Sequence, residues 1–76
     1  MVGAYVLIKA YGSIETLLKG LKKIKGVKGV SPVTGPYDLI VEVESEDVNS
    51  LAKVVVSRIR KIKGISDTLT CIKVEL

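Results

Sequence analysis

The stretch "VTGPYDL", residues 33–39, sets the carboxylate of Asp38 between a Gly-Pro turn and a run of strand-forming residues. A hairpin uses Gly and Pro at such a place but has no need of the carboxylate. Asp38 therefore either accepts hydrogen bonds that finish the turn or holds a cationic group. Little else in the chain can do chemistry. Nucleophilic catalysis needs a base beside Ser, Thr or Cys, and the sequence contains no His. The single cysteine, Cys71, allows no internal disulfide, and with no His among scattered carboxylates it makes no zinc site. Placed mid-strand, it is expected to be a small buried thiol rather than a reactive one. Glu42 and Glu44 share one strand face and are expected to decorate a solvated patch or to pair with lysines. No Gly-rich phosphate loop follows a strand. These observations point away from an enzyme, and neither a cofactor nor a metal is expected.

At 76 residues the chain is at most one domain, 1–76. A domain of this size buries only about 60% of its unfolded surface and needs help from disulfides, metals or association. With the first two excluded, association remains, and 47% hydrophobic residues are more than one small core can hide. No apolar run approaches the ~18 residues of a membrane span, and "MVGAYVLIKA" lacks the basic start of a signal peptide. The expected location is the cytoplasm, with no membrane partner. The absence of His, Trp, Phe and Gln beside abundant Lys, Val and Ile suits a heat-adapted source. The net charge of +4 permits an anionic partner without identifying one. The lysines at 22, 23, 25 and 28 and the cations at 58, 60, 61 and 63 cluster near two helix ends, where they complement the macrodipole.

These residues must be positioned by two similar halves. "KIKGV" at 23–27 and "KIKGI" at 61–65 each follow an amphipathic helix and precede a strand. The first strand, 4–10, is apolar on both faces, with Ala4, Val6 and Ile8 on one side and Tyr5 and Leu7 on the other. Ser13 is the expected N-cap of a helix with a stripe of Ile14, Leu17, Leu18, Leu21 and Ile24, stopped at Gly26. A second strand over about 28–34 contains Ser31-Pro32, and proline confines it to a sheet edge. After the Gly35-Pro36 turn comes the strand "LIVEVE". Ser45 is expected to cap the second helix, with Glu46 and Asp47 in its first turn. That helix buries Val48, Leu51, Ala52, Val55, Ile59 and Ile62 and ends at Gly64. The last strand spans 67–76. The order βαββαβ, with right-handed crossovers, gives a ferredoxin-like α+β fold: a four-stranded antiparallel sheet, spatial order 4-1-3-2, with both helices on one face. Tyr5, Leu7, Ile40 and Leu69 then crowd the uncovered face, and such a surface belongs to an interface. The RNA-binding version of this topology stacks bases on aromatics of the central strands; Tyr5 alone, beside Ile40, Glu42 and Glu44, argues against it.

"VTGPYDLIVEVE", a capped helix and then "KGISDTLTCIKV" together resemble the effector-binding (RAM) domain of the Lrp/AsnC transcription regulators, over essentially the whole chain. Thr34, Gly35, Pro36, Tyr37 and Asp38 match the turn entering strand three, and Gly64-Ile65 with Thr68, Leu69 and Thr70 match the entry to strand four. The resemblance implies a homodimer of facing sheets, assembled into octamer- or decamer-like rings, with small amino-acid effectors bound where dimers meet. It places ligand contacts at Thr34, Gly35, Tyr37, Asp38, Thr68, Leu69, Thr70 and Ile72. Full-length members also carry a helix-turn-helix domain. The chain starts at strand one, so the expectation is a stand-alone form without sequence-specific DNA binding, able to co-assemble with full-length regulators. The turn suits a zwitterion: Asp38 can accept from an ammonium, while N–H groups near Gly35 and a Thr hydroxyl can donate to a carboxylate. The competing expectation is that Asp38 only finishes the turn and that the module is structural, its ligand lost.

Overall fold

The computed structural model describes residues 1–74. Along the chain run β1 (Val2–Ala10), α1 (Ile14–Lys22), β2 (Val27–Pro32), β3 (Leu39–Ser45), α2 (Val48–Val54) and β4 (Ile65–Ile72). The α2 helix continues into a π-helical turn, Val55–Ile59, closed by the Arg60 N–H donating to the Val55 carbonyl at 2.9 Å. The strands form one antiparallel sheet in the order β2-β3-β1-β4, a ferredoxin-like fold. Pro32 ends β2 at the sheet edge, where its missing N–H removes no ladder bond from a central strand.

Alternation along β1 and β3 sends Ala4, Val6, Ile8, Leu39, Val41 and Val43 toward the helices, where all are buried. Leu17 and Leu21 from α1 and Leu51, Val55 and Ile59 from the second helix close the core over them. The first helix begins as its sequence requires: Ser13 is extended and its hydroxyl accepts from the Thr16 N–H, with Glu15 in the first turn.

The second helix departs from expectation at its start. Ser45 is not the cap; it is the last residue of β3 and pairs with Val2 of β1. Asp47 caps instead, its carboxylate accepting from the Ser50 N–H at 2.7 Å, so neither it nor Glu46 lies in the first turn. Val48 and Ala52 are also exposed rather than buried, because they face the flank beside edge strand β4 instead of the sheet. Gly26 and Gly64 do adopt left-handed conformations, at φ 99° and 106°. Both sit a few residues beyond the helix ends, in the turns that lead into β2 and β4. Strand β2 ends at Pro32, not 34, because Val33 turns its N–H to the Asp38 carbonyl. Strand β4 starts at Ile65 and ends at Ile72; of the expected strand, residues 75 and 76 lie outside the described ones.

The uncovered sheet face carries Tyr5, Leu7, Ile40 and Leu69 as their alternation requires, with Leu7 directly opposite both Ile40 and Leu69. Cys71 sits on this face opposite Tyr5, and its thiol is exposed rather than buried, since no helix covers that side. Glu42 pairs with Lys73, and Glu44 lies 3.9 Å from Lys28. The ammonium of Lys73 also stands 4.7 Å from the Tyr5 ring centroid.

Candidate functional site

Three hydrogen bonds build the turn that carries Asp38. The Val33 N–H donates to the Asp38 carbonyl at 2.9 Å, and the Asp38 N–H donates to the Ile8 carbonyl at 2.8 Å. The third joins the side chain to the neighbouring strand: the Ala10 N–H donates to Asp38 Oδ2 at 2.8 Å. One carboxylate oxygen is thus committed to the end of β1. Oδ1 accepts no hydrogen bond among the described residues. Asp38's own N–H is likewise engaged, which leaves the turn N–H groups of Gly35 and Tyr37 as donors for anything that binds there.

Thr34, Gly35 and Pro36 are exposed at the tip, and Gly35 has φ 139° with open space around it. A side chain there would strain the backbone without meeting a neighbour. Tyr37 is half-buried, and the Lys9 ammonium lies 5.6 Å from its ring centroid. The turn therefore pairs one half-engaged carboxylate with one nearby cation.

The second set of residues lies on the far flank of β1. Ile8 is opposite both Leu39 and Thr68, so the turn and Thr68 stand at the same height with β1 between them. Two strand spacings separate them, on the order of 10 Å, and no hydrogen bond joins the two groups within one chain. Thr68, Thr70 and Ile72 face the helix side. They line a cavity of about 300 Å³ whose other wall includes Val48, Val56 and Arg60. Leu69 points the other way, onto the uncovered face beside Leu7. The eight residues singled out from sequence thus fall in three places: the turn, the groove along β4, and the open sheet face.

Four participants were missed in the sequence. Ala10 gave no signal, since only its backbone contributes. Arg60 read as one of several cations at a helix end, yet it stands over the β4 groove. Val48 and Val56 are 55% and 54% exposed and give the groove its apolar lip.

The sequence profile of the Lrp/AsnC ligand binding domain matches residues 3–75. The chain belongs to that family. Among solved structures, the protein TTHA0845 from Thermus thermophilus superposes with a TM-score of 0.92 at 34% identity, covering 100% of this chain and 96% of that one. A Pyrococcus horikoshii protein, PHS023, has a TM-score of 0.89 at 32% identity, covering 100% and 93%. At 16% identity, a transcriptional regulator from Neisseria meningitidis, solved as its L-Met complex, shares the fold with a TM-score of 0.87, over 97% of this chain and 50% of that one. A different kind of relative is homocitrate synthase from Sulfurisphaera tokodaii, 37% identical over 71 residues. That match takes in 91% of this Lrp/AsnC-type chain but only 15% of the synthase.

Proposed function

We propose that the chain is an amino-acid-sensing assembly domain, non-enzymatic in itself, whose ligand site is completed between subunits. The observation that carries this reading is the separation of the two half-sites. The 35–38 turn offers an acceptor and two N–H donors, and the β4 groove offers an apolar wall with threonines and Arg60, yet β1 stands between them. Neither half alone meets the needs of a zwitterion with a side chain. A turn of one subunit set against the β4 groove of another would meet them all. The L-Met complex of the Neisseria regulator supports an amino acid as the ligand class.

Association through the uncovered sheet face gives the first step of assembly. Leu7, Ile40 and Leu69 form one row there, and Tyr5 and Leu69 remain 43% and 48% exposed in a single subunit. Co-assembly with DNA-binding members of the family is the regulatory output that this geometry suits. A thermal-shift screen with the twenty amino acids tests the sensing. A ligand of the native state present at about a hundred times its Kd adds about 2.7 kcal/mol. Stabilisation by none of them would leave a structural module of the same fold.

A second reading rests on the synthase match. A module making up 15% of a biosynthetic enzyme's length fits an allosteric sensor of a metabolic enzyme as well as of a repressor. The two readings share the ligand site and differ in the output. Adding the purified chain to a homocitrate synthase and assaying activity with and without amino acids separates them.

A further inference from the structure

The larger cavity of the described chain lies away from both half-sites. It measures about 650 Å³ and opens between the loop that follows α1 and the flank of the second helix. Its floor is Glu44 and Ser45 at the end of β3, whereas Asp38 precedes that strand's first residue, so the two sites sit at opposite ends of the sheet. The volume falls within the range of about 300–1,000 Å³ that small-molecule sites occupy.

Four cations line it, on two facing walls. Lys25 and Lys28 stand on one wall, and Lys53 and Arg58 on the other. The macrodipole accounts for Arg58, in the last helical turn, and for Lys25, just past the end of α1, but not for the other two. Lys28 lies within β2, and Lys53 stands midway along the continuous helical stretch 48–59. Two carboxylates also border the groove, Glu44 and Glu46. Glu44 is the partner of Lys28. Among the described residues Lys25, Lys53 and Arg58 form no ion pair. Asp47 lies close enough to feel Lys53, but its carboxylate is spent on the Ser50 N–H. Ser57 adds a hydroxyl donor to the wall, whereas the Ser50 hydroxyl is turned to the Asp47 carboxylate.

We propose that this groove is a second binding site, separate from the 35–38 and 68–72 residues, and that it takes a small phosphorylated anion. A phosphoryl group carries about −1.5 to −2 charge with three strong acceptor oxygens. Three unpaired cations and the Ser57 hydroxyl match that demand. A single carboxylate would leave cations unused. An extended polyanion is disfavoured because Glu44 and Glu46 also line the groove.

Calorimetric titration of the full chain with sodium pyrophosphate at physiological salt tests the site. Saturable binding at one site per chain is expected, persisting where diffuse surface attraction is screened. Lys53→Gln and Arg58→Gln each weaken it by about fivefold or more. Lys63→Gln removes the same charge outside the groove and changes Kd by no more than about twofold. All three residues are exposed, so the variants fold, and their melting curves check this. Equal weakening by all three variants, or no saturable heat at physiological salt, overturns the site. Displacement of pyrophosphate by a duplex DNA oligonucleotide that binds more tightly through Lys53 and Arg58 overturns the small-anion assignment in favour of nucleic acid.

Discussion

Asp38 and Ala10, 28 positions apart in sequence, are joined by a hydrogen bond of 2.8 Å from the Ala10 N–H to Asp38 Oδ2. This bond fixes the end of β1 to the start of β3 and holds the turn tip away from the sheet. It makes Asp38 structural through one oxygen, while Oδ1 accepts no hydrogen bond among the described residues. Two substitutions separate the roles. Asp38→Ala removes both and leaves the half-buried Ala10 N–H without its acceptor, costing about 1–3 kcal/mol. At roughly 4–8 °C per kcal/mol for a domain of this size, a melting curve reads that loss directly. Asp38→Asn keeps an acceptor for Ala10 and stays close to the parent in stability. It lacks the charge that an ammonium requires, so calorimetry with the stabilising amino acid should show affinity reduced roughly tenfold or more. Unchanged affinity in the Asn variant would leave Asp38 with its structural role alone.

Asp47 gives a prediction in pH. The Ser50 N–H, bonded to its carboxylate, holds its pKa below the ordinary 3.8. A depressed folded-state pKa means stability that is fully present above the unfolded value and lost as pH falls through the folded one. The parent and Asp47→Ala should therefore differ in melting temperature at neutral pH, and the difference should shrink below about pH 3.8. A gap that stays constant down to the acid limit would assign the cap's effect to something other than the ionised carboxylate.

The sheet order was legible because βαββαβ with right-handed crossovers dictates it, and Pro32, which cannot sit in a central strand, agrees by falling in edge strand β2. The open face was legible for a similar reason, since Tyr5 and Leu7 have nowhere else to point once Val6 and Ile8 face the helices. What failed was local ambiguity that tertiary contacts resolve. Ser45 and Asp47 are equally good caps by type, and only the pairing of Ser45 with Val2 extends β3 far enough to choose between them. Val48 and Ala52 fit a buried helical stripe, but the sheet ends at β4 before covering them. In the candidate site, the turn could be read from Gly35, Pro36 and Asp38. Its bond to Ala10 could not, because a backbone donor 28 positions away leaves no mark on the sequence. The basic groove was equally hidden: its lysines and arginine lie in separate runs that only the fold brings face to face.

Gly64 tests the junction between the second half and the first. Its carbonyl accepts from the N–H groups of both Tyr11 and Gly12, at 2.8 and 3.3 Å. Its φ is 106°, and an added Cβ would stand 3.3 Å from Leu17 Cδ2 and 3.4 Å from Gly12 Cα. Gly64→Ala therefore combines left-handed strain of about 1–2 kcal/mol with a tight contact against a core leucine. Gly29→Ala is the matched control: no atom lies within 4 Å of the added carbon and the backbone needs no positive φ. Denaturant titration should show Gly64→Ala losing about 1–3 kcal/mol, with Gly29→Ala neutral or slightly more stable. Equal effects would mean that the conformation at Gly64 relaxes freely.

Leu7 decides whether the uncovered face is an interface. It lies at the centre of a row with Ile40 on one side and Leu69 on the other, and the Glu42–Lys73 pair borders that row beside Tyr5. In a lone subunit Leu7→Lys would put a charge on a solvated surface and change stability little. In a dimer of facing sheets the same lysine would be buried without a partner, a cost of several kcal/mol that splits the assembly. Light scattering at micromolar concentration should then give a multimeric mass for the parent and a monomeric mass for Leu7→Lys. Thr16→Lys is the control, since Thr16 is an exposed residue of α1, on the helix side of the sheet. The amino-acid-dependent rise in melting temperature should vanish along with the assembly, because the two half-sites would no longer meet. A Leu7→Lys chain that remains multimeric would move the interface off this face. One that is monomeric yet still stabilised by the amino acid would place the whole ligand site within a single subunit.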